Sequence, residues 1–242
     1  MDVTPAKKGT GLQGIIDSLT PDTIDNIRKT SPAAADKFGP LLAKLNVYLN
    51  RDLPFWPDKY KERDIPDLVS EVLTPLEIDT FLQISLLSEN KTGFCSKAGD
   101  FITHLIGNSY HGGHRKFVLH TNVFSNPLED IGHGLIASRE NPLSVVVYGD
   151  SSDYFGFLSQ NVRYTIHGDV RVDYCARTAL NCTFLFYERI VGEDIALGAE
   201  SSIFKATREE TVELLVERVP SGNKIIQLLP NKRQRIVRDY KQ

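Results

Sequence analysis

Val145, Tyr164, Phe184 and Phe204 stand 19, 20 and 20 residues apart, each inside a short run of β-branched and aromatic residues. This step constrains the chain more than any other feature. A unit of about 20 residues cannot bury its own apolar face and must share a core with its neighbours. A second marker keeps nearly the same step: an aspartate followed by Ile or Tyr at Asp130-Ile131, Asp153-Tyr154, Asp173-Tyr174 and Asp194-Ile195, separated by 23, 20 and 21 residues. The runs at 116–119, 144–148, 163–167 and 183–187 have strand length and strand composition. Glycine punctuates them. Gly149 and Gly168 follow strands, where a corner with positive φ suits glycine, and Gly132, Gly134, Gly156, Gly192 and Gly198 mark the remaining turns. Strands joined by such turns predict a coil whose successive turns rise by about 4.8 Å, the strand spacing of a sheet.

The segments 129–135, 148–156 and 192–199 carry a resemblance on top of this periodicity. They resemble the GXGXG repeats found in the C-terminal domain of the large subunit of glutamate synthase and in formylmethanofuran dehydrogenase. The likeness covers roughly Phe117 to Ala206, and departs from the pattern where Cys175, Ala176 and Arg177 replace glycines and where Asn126 to Glu129 are inserted. It implies a right-handed β-helix that acts as a scaffold and as a contact between subunits, without catalytic residues of its own. The repeat residues it marks are Asp130, Gly132, Gly149, Asp153, Gly156, Gly168, Asp173, Asp194 and Gly198.

The flanks read as helical. Thr20-Pro21 opens a short helix, Ser31-Pro32 opens another that Gly39-Pro40 is expected to interrupt, and Leu41, Leu42, Leu45, Tyr48 and Leu49 form one helical stripe beyond it. Leu53-Pro54-Phe55-Trp56-Pro57 must be a loop. A short helix is expected around Leu68 to Leu73, and a second follows the capping box Thr74-Pro75-Leu76-Glu77. A third runs from Ser96 to Ile106 and stops at Gly107-Asn108. Thr207-Arg208-Glu209-Glu210 reads as a further capping box before a helix that Pro220 ends, and Ile225 to Leu229 as an edge strand. The expected fold is therefore α+β: a helical domain at 1–114, a short right-handed β-helix (β-solenoid) at 115–206, and a capping helix, edge strand and basic tail at 207–242.

The chemistry-bearing residues admit competing readings. An aspartate ladder of Asp130, Asp153, Asp173 and Asp194 would repel itself by roughly 1 kcal/mol per neighbouring pair even in water, so something must offset it. Asx-type turns are favoured over a bound cation or an acid/base pair, because the ladder recurs through the repeat. His111, His114 and His133 are the candidate metal ligands, with His120 nearby, although two intervening glycines give no rigid frame. No GxSxG, Walker or HExxH motif occurs, and no cofactor is implied. Tyr148, Tyr164 and Tyr187, if they point the same way at equivalent positions, would form an aromatic column available to the core or to a partner, with the core favoured.

Charge and cysteine usage narrow the class. A net charge of −3 argues against general capture of nucleic acid, leaving only the basic tail Lys232 to Lys241, read as a frayed terminus. No run approaches the roughly 18 apolar residues of a membrane span, and Met1 to Lys8 has no apolar signal region, so a soluble, unexported chain is expected. Cys95, Cys175 and Cys182 are an odd set without a CxxC pair, which suits reduced thiols in the cytoplasm. The functional expectation is a non-catalytic scaffold or protein-interaction protein, associating with itself or with an enzyme in an accessory role. A metal-dependent enzyme using His and Asp residues between the two halves is the alternative.

Overall fold

A computed structural model describes residues 37–51, 68–171 and 173–240. The chain divides into two compact units, Met1–Ala43 and Lys44–Gln242. The helices expected at Thr20 and Ser31 and the loop carrying Trp56 lie outside the described residues. The Leu41-to-Leu49 stripe does form a helix, α1, over residues 37–49, and the interruption expected at Gly39-Pro40 is corrected, since the helix runs through both residues. Helix α2 (Pro75–Ser85) starts at the expected capping box: Glu77 N–H donates to Thr74 Oγ1 at 3.3 Å and Thr74 N–H to Glu77 Oε2 at 2.9 Å. A 3₁₀ turn, Leu86–Ser88, follows.

Helix α3 (Phe94–His111) is longer than expected and passes straight through Gly107-Asn108. The reason is burial: Ile106, Ser109 and Tyr110 continue its inner face beyond the glycine. The helix expected around Leu68 to Leu73 is also corrected, since Val69 to Thr74 is not helical. That segment finds its hydrogen bonds on α3 instead. Leu73 N–H donates to Ser109 Oγ (2.9 Å), and Asn108 Nδ2 donates to the Val69 carbonyl (2.8 Å).

The strands are β1 (Lys116–His120), β2 (Leu143–Tyr148), β3 (Val162–Ile166), β4 (Val170–Arg171), β5 (Thr183–Phe186), β6 (Ile190–Val191) and β7 (Ile203–Ala206), then β8 (Lys224–Leu228) and β9 (Gln234–Arg238) after helix α4 (Glu209–Arg218). Seven of them form one sheet in the order β1-β2-β3-β5-β7-β8-β9, and β4 and β6 form a small second sheet. All neighbours are parallel except β8 and β9.

The expected α+β chain with a right-handed β-helix is therefore corrected: the protein is a mixed α/β fold built on a seven-stranded, mostly parallel sheet with helices around it. The 20-residue step records in-register parallel pairing. Val145 pairs with Tyr164, Tyr164 with Phe184 and Phe184 with Phe204. A coil of stacked turns would need each period to feed several full sheets. Here each period gives one full strand to the large sheet, while the return path pairs only as two-residue strands and isolated bridges. The step also breaks at both ends. Phe117 pairs with Val145, 28 residues on, and α4 sits between β7 and β8.

The core file runs Val145, Tyr164, Phe184, Phe204 and Ile225, none more than 1% exposed. Its rings stack, Tyr164 on Phe184 at 5.0 Å between centroids and Phe184 on Phe204 at 5.3 Å. Three further expectations at the C-terminal end are corrected. The Thr207 capping box does not form, because Thr207 Oγ1 donates to the Tyr187 carbonyl (2.7 Å) and α4 starts after Arg208 without a side-chain cap. The strand expected at the edge, β8, lies inside the sheet. The tail read as frayed forms β9, the actual edge.

Candidate functional site

Sequence candidates Asp130 and His133 meet in one buried cluster. Asp130 is fully buried, and its Oδ2 accepts from Ser96 Oγ at 2.5 Å while its Oδ1 lies 3.2 Å from His133 Nδ1. Thr103 Oγ1 donates to the Asp130 carbonyl (3.1 Å) and accepts from Gly132 N–H (2.8 Å). Ser96, Gly99 and Thr103 lie along one stripe of α3, and the chain passes so close that a Cβ on Gly99 would stand 1.8 Å from the Glu129 carbonyl oxygen. The carboxylate stands between hydroxyl and imidazole. An activated nucleophile needs the imidazole in the middle and an approach for substrate. With Asp130 at 0% and His133 at 5% exposure, this cluster ties α3 to the 129–133 segment.

The other candidates disperse. His111 is exposed at the end of α3 against the Tyr110 ring, and His114 follows two glycines. Among the described residues, no group of three or more His, Cys, Asp or Glu side chains is placed to hold a metal ion, so His111, His114 and His133 make no such set. The aspartate column is joined mainly through backbone. Asp130 N–H donates to the Asp153 carbonyl (2.9 Å), and Asp173 N–H donates to Asp153 Oδ1 (2.9 Å). Asp173 is exposed and Asp194 half-buried.

The glycines serve mostly as sites of close approach. Gly149 has the positive φ expected of it, 137°. Gly168 does not need one: a Cβ there would lie 2.1 Å from the Gly149 carbonyl oxygen. Gly132 and Gly156 leave room for the rings of Tyr164 and Phe184, whereas Gly198 is exposed with a Cβ position in ordinary contact with Thr178. Cys175 and Cys182 are inner, with the Cys175 thiol pushed up to about 12 by burial and Cys182 raised by the same cause. Such thiols are poor nucleophiles.

The ordered feature on the surface lies elsewhere. His120, Tyr148, His167 and Tyr187, at or just beyond the carboxyl ends of β1, β2, β3 and β5, stack as four rings with centroids 5.2, 4.5 and 4.3 Å apart and planes within 13°. Tyr148 and Tyr187 are 39% and 38% exposed. The column is thus not the expected Tyr148-Tyr164-Tyr187 set, because Tyr164 belongs to the core file, where its hydroxyl donates to the Gly132 carbonyl at 3.0 Å. His120 fixes the end of the file: its N–H donates to Asp79 Oδ1 (2.8 Å), and Asp79 Oδ2 meets its Nδ1 at 2.9 Å. Beside the rings run Asp150–Arg171 (3.7 Å), Asp169–Arg189 (2.7 Å) and Glu188–Arg208, each carboxylate reaching the arginine of the next strand unit. The hydrogen bond from Arg189 holds the Asp169 carboxyl below its usual range, against the opposing effect of burial.

His167, the ring that sequence reasoning missed, had a signal. Tyr148, His167 and Tyr187 are 19 and 20 apart, the same step as the core file, read three residues later. Comparison of the chain with protein-family models, with curated proteins and with solved structures finds no match. No helix among the described residues is long and apolar enough to cross a membrane.

Proposed function

We propose that this chain is a non-catalytic scaffold or protein-interaction protein that uses the outer face of its parallel sheet to hold another polypeptide. The observation that carries this reading is the file His120, Tyr148, His167 and Tyr187. Stacking covers the ring faces turned to one another and leaves the edges and hydroxyls of Tyr148 and Tyr187 on a pre-ordered strip flanked by ion pairs. Pre-ordered aromatic side chains lose little entropy on association, and tyrosine is enriched where proteins meet. Asp130 and His133 are, by contrast, spent on tying α3 to the 129–133 segment. Three free cysteines, two of them buried, support a reducing cytoplasmic setting.

The test compares the wild-type chain with a Tyr148→Ser/Tyr187→Ser variant of matched thermal stability. Both are immobilised and exposed to extract of the native host, and captured proteins are quantified by mass spectrometry. Loss of a specific set of captured proteins in the variant supports the reading. The same set at the same level on both chains would refute it.

A further inference from the structure

The last strand of the sheet raises a separate question, which rests on the interaction reading above and concerns a different surface. Strand β9 ends the sheet, and among the described residues nothing pairs with its outer edge. Residues 230–236 are exposed, including Ile236 at 55%. The opposite edge is treated differently: at β1, Asp79 and Gln83 of α2 satisfy the outward N–H and carbonyl of His120.

Register tells which groups of β9 are open. Leu229 N–H donates to the Arg233 carbonyl (2.8 Å), and Gln227 pairs with Arg235. In an antiparallel pair, alternate residues turn both backbone groups to the partner and the others turn both away. Arg233 and Arg235 therefore bond inward, and Gln234 and Ile236 offer N–H and carbonyl outward. Side chains alternate as well, so Arg233 and Arg235 share one face while Gln234 and Ile236 share the other.

The charge of this edge is one-sided. Lys232, Arg233 and Arg235 are exposed and make no ion pair among the described residues. Arg238 is committed to the carbonyls of Val219 and Pro220 behind α4, and Lys224 holds Asp239 at 3.4 Å.

We propose that the outer edge of β9 accepts an acidic, extended polypeptide segment as an eighth strand, with carboxylates at alternate residues beside Arg233 and Arg235 and apolar residues at the intervening positions, one beside Gln234 and the next beside Ile236. Backbone bonds supply the docking and the arginine pair supplies the selection. A second copy of this chain fits less well, because pairing two β9 edges gathers both copies' cations at one seam. A nucleic acid meets the cations but leaves the outward amide and carbonyl row unpaired.

The experiment uses the full chain and a fluorescent synthetic peptide that alternates glutamate and valine, followed by anisotropy. The proposal expects saturable binding that falls at least about tenfold when the same residues are rearranged into one glutamate block and one valine block, or when lysine replaces glutamate. Arg233→Glu/Arg235→Glu should lose the acidic peptide. Ile236→Pro should lose it too at unchanged thermal stability, since the proline removes only an outward N–H. Equal binding of the blocked peptide, displacement by single-stranded oligothymidylate at equal concentration, or dimerisation of the wild-type chain that Ile236→Pro abolishes would each overturn it. Failure here leaves the outcome of the Tyr148/Tyr187 comparison untouched, so the two readings fail separately.

Discussion

Phe184→Ala removes the ring at the centre of the core file, and its cost can be worked from the surroundings. Phe184 is fully buried, with Tyr164 stacked on one side at 5.0 Å and Phe204 on the other at 5.3 Å. Truncating such a side chain costs about 3–5 kcal/mol, the transfer term plus an unfilled cavity. Collapse is restricted, because the backbones on both sides are fixed by parallel pairing of Tyr164, Phe184 and Phe204. We therefore expect about 4 kcal/mol, the middle of that range. In a chain of this size each kcal/mol moves Tm by about 2–4 °C, so the midpoint should fall by about 8–16 °C. Urea and thermal unfolding followed by far-ultraviolet circular dichroism measure both quantities. A Phe184→Ala/Phe204→Ala cycle should show a coupling of about 0.5–1.5 kcal/mol, the part of the stack beyond area burial. A loss below about 1 kcal/mol with no coupling would refute the core file.

The other predictions concern single groups. Tyr164→Phe should destabilise by about 0.5–1.5 kcal/mol, because the Gly132 carbonyl loses the hydroxyl and keeps only the longer bond from Leu135 N–H (3.3 Å); an unchanged midpoint would count against the Tyr164 bond. Asp169→Asn should destabilise at neutral pH and not in strong acid. The folded carboxyl titrates below its unfolded value, so its contribution is present above the ordinary carboxylate range and disappears as pH falls through the lowered folded value. A gap to wild type that widens in acid would contradict this sign. Iodoacetamide should leave Cys175 and Cys182 unmodified in the native protein at mildly alkaline pH and label both in urea, as read by peptide mass spectrometry; labelling of Cys175 in the folded chain would refute its burial.

Much of the sheet was legible because its strands repeat the same register. Val145, Tyr164, Phe184 and Phe204 fall into one file since equal spacing along the chain becomes direct opposition when parallel strands pair in register. The same spacing does not say how many sheets the return path builds. Periodicity predicts a coil and the resemblance implies a β-helix, while among the described residues the return segments pair as the two-residue strands β4 and β6 and a few bridges. Helix limits failed where tertiary partners replaced local signals. Gly107 reads as a stop, yet burial of Ser109 and Tyr110 carries α3 past it, and the Ser109 hydroxyl then draws Leu73 out of the expected helix. Thr207 reads as a cap, and a carbonyl one strand away takes its hydroxyl. The outer ring file was hidden because histidine and tyrosine share its positions, so a search for one residue type passes over it. The pairing of Asp130 with Ser96 spans 34 positions with no shared motif, and only the fold brings them together.

The parallel, in-register file at the centre of the sheet sets the outer file of His120, Tyr148, His167 and Tyr187 on one side and places β9 at the edge. Nuclear Overhauser contacts among the ring protons of Tyr164, Phe184 and Phe204, and separately between His167 and both Tyr148 and Tyr187, measure it directly. Two unbroken series of contacts, with none joining the inner rings to the outer ones, are the predicted result. Contacts from the Phe184 ring to the Thr165 methyl, as a one-residue slip of β5 against β3 would produce, would contradict the account.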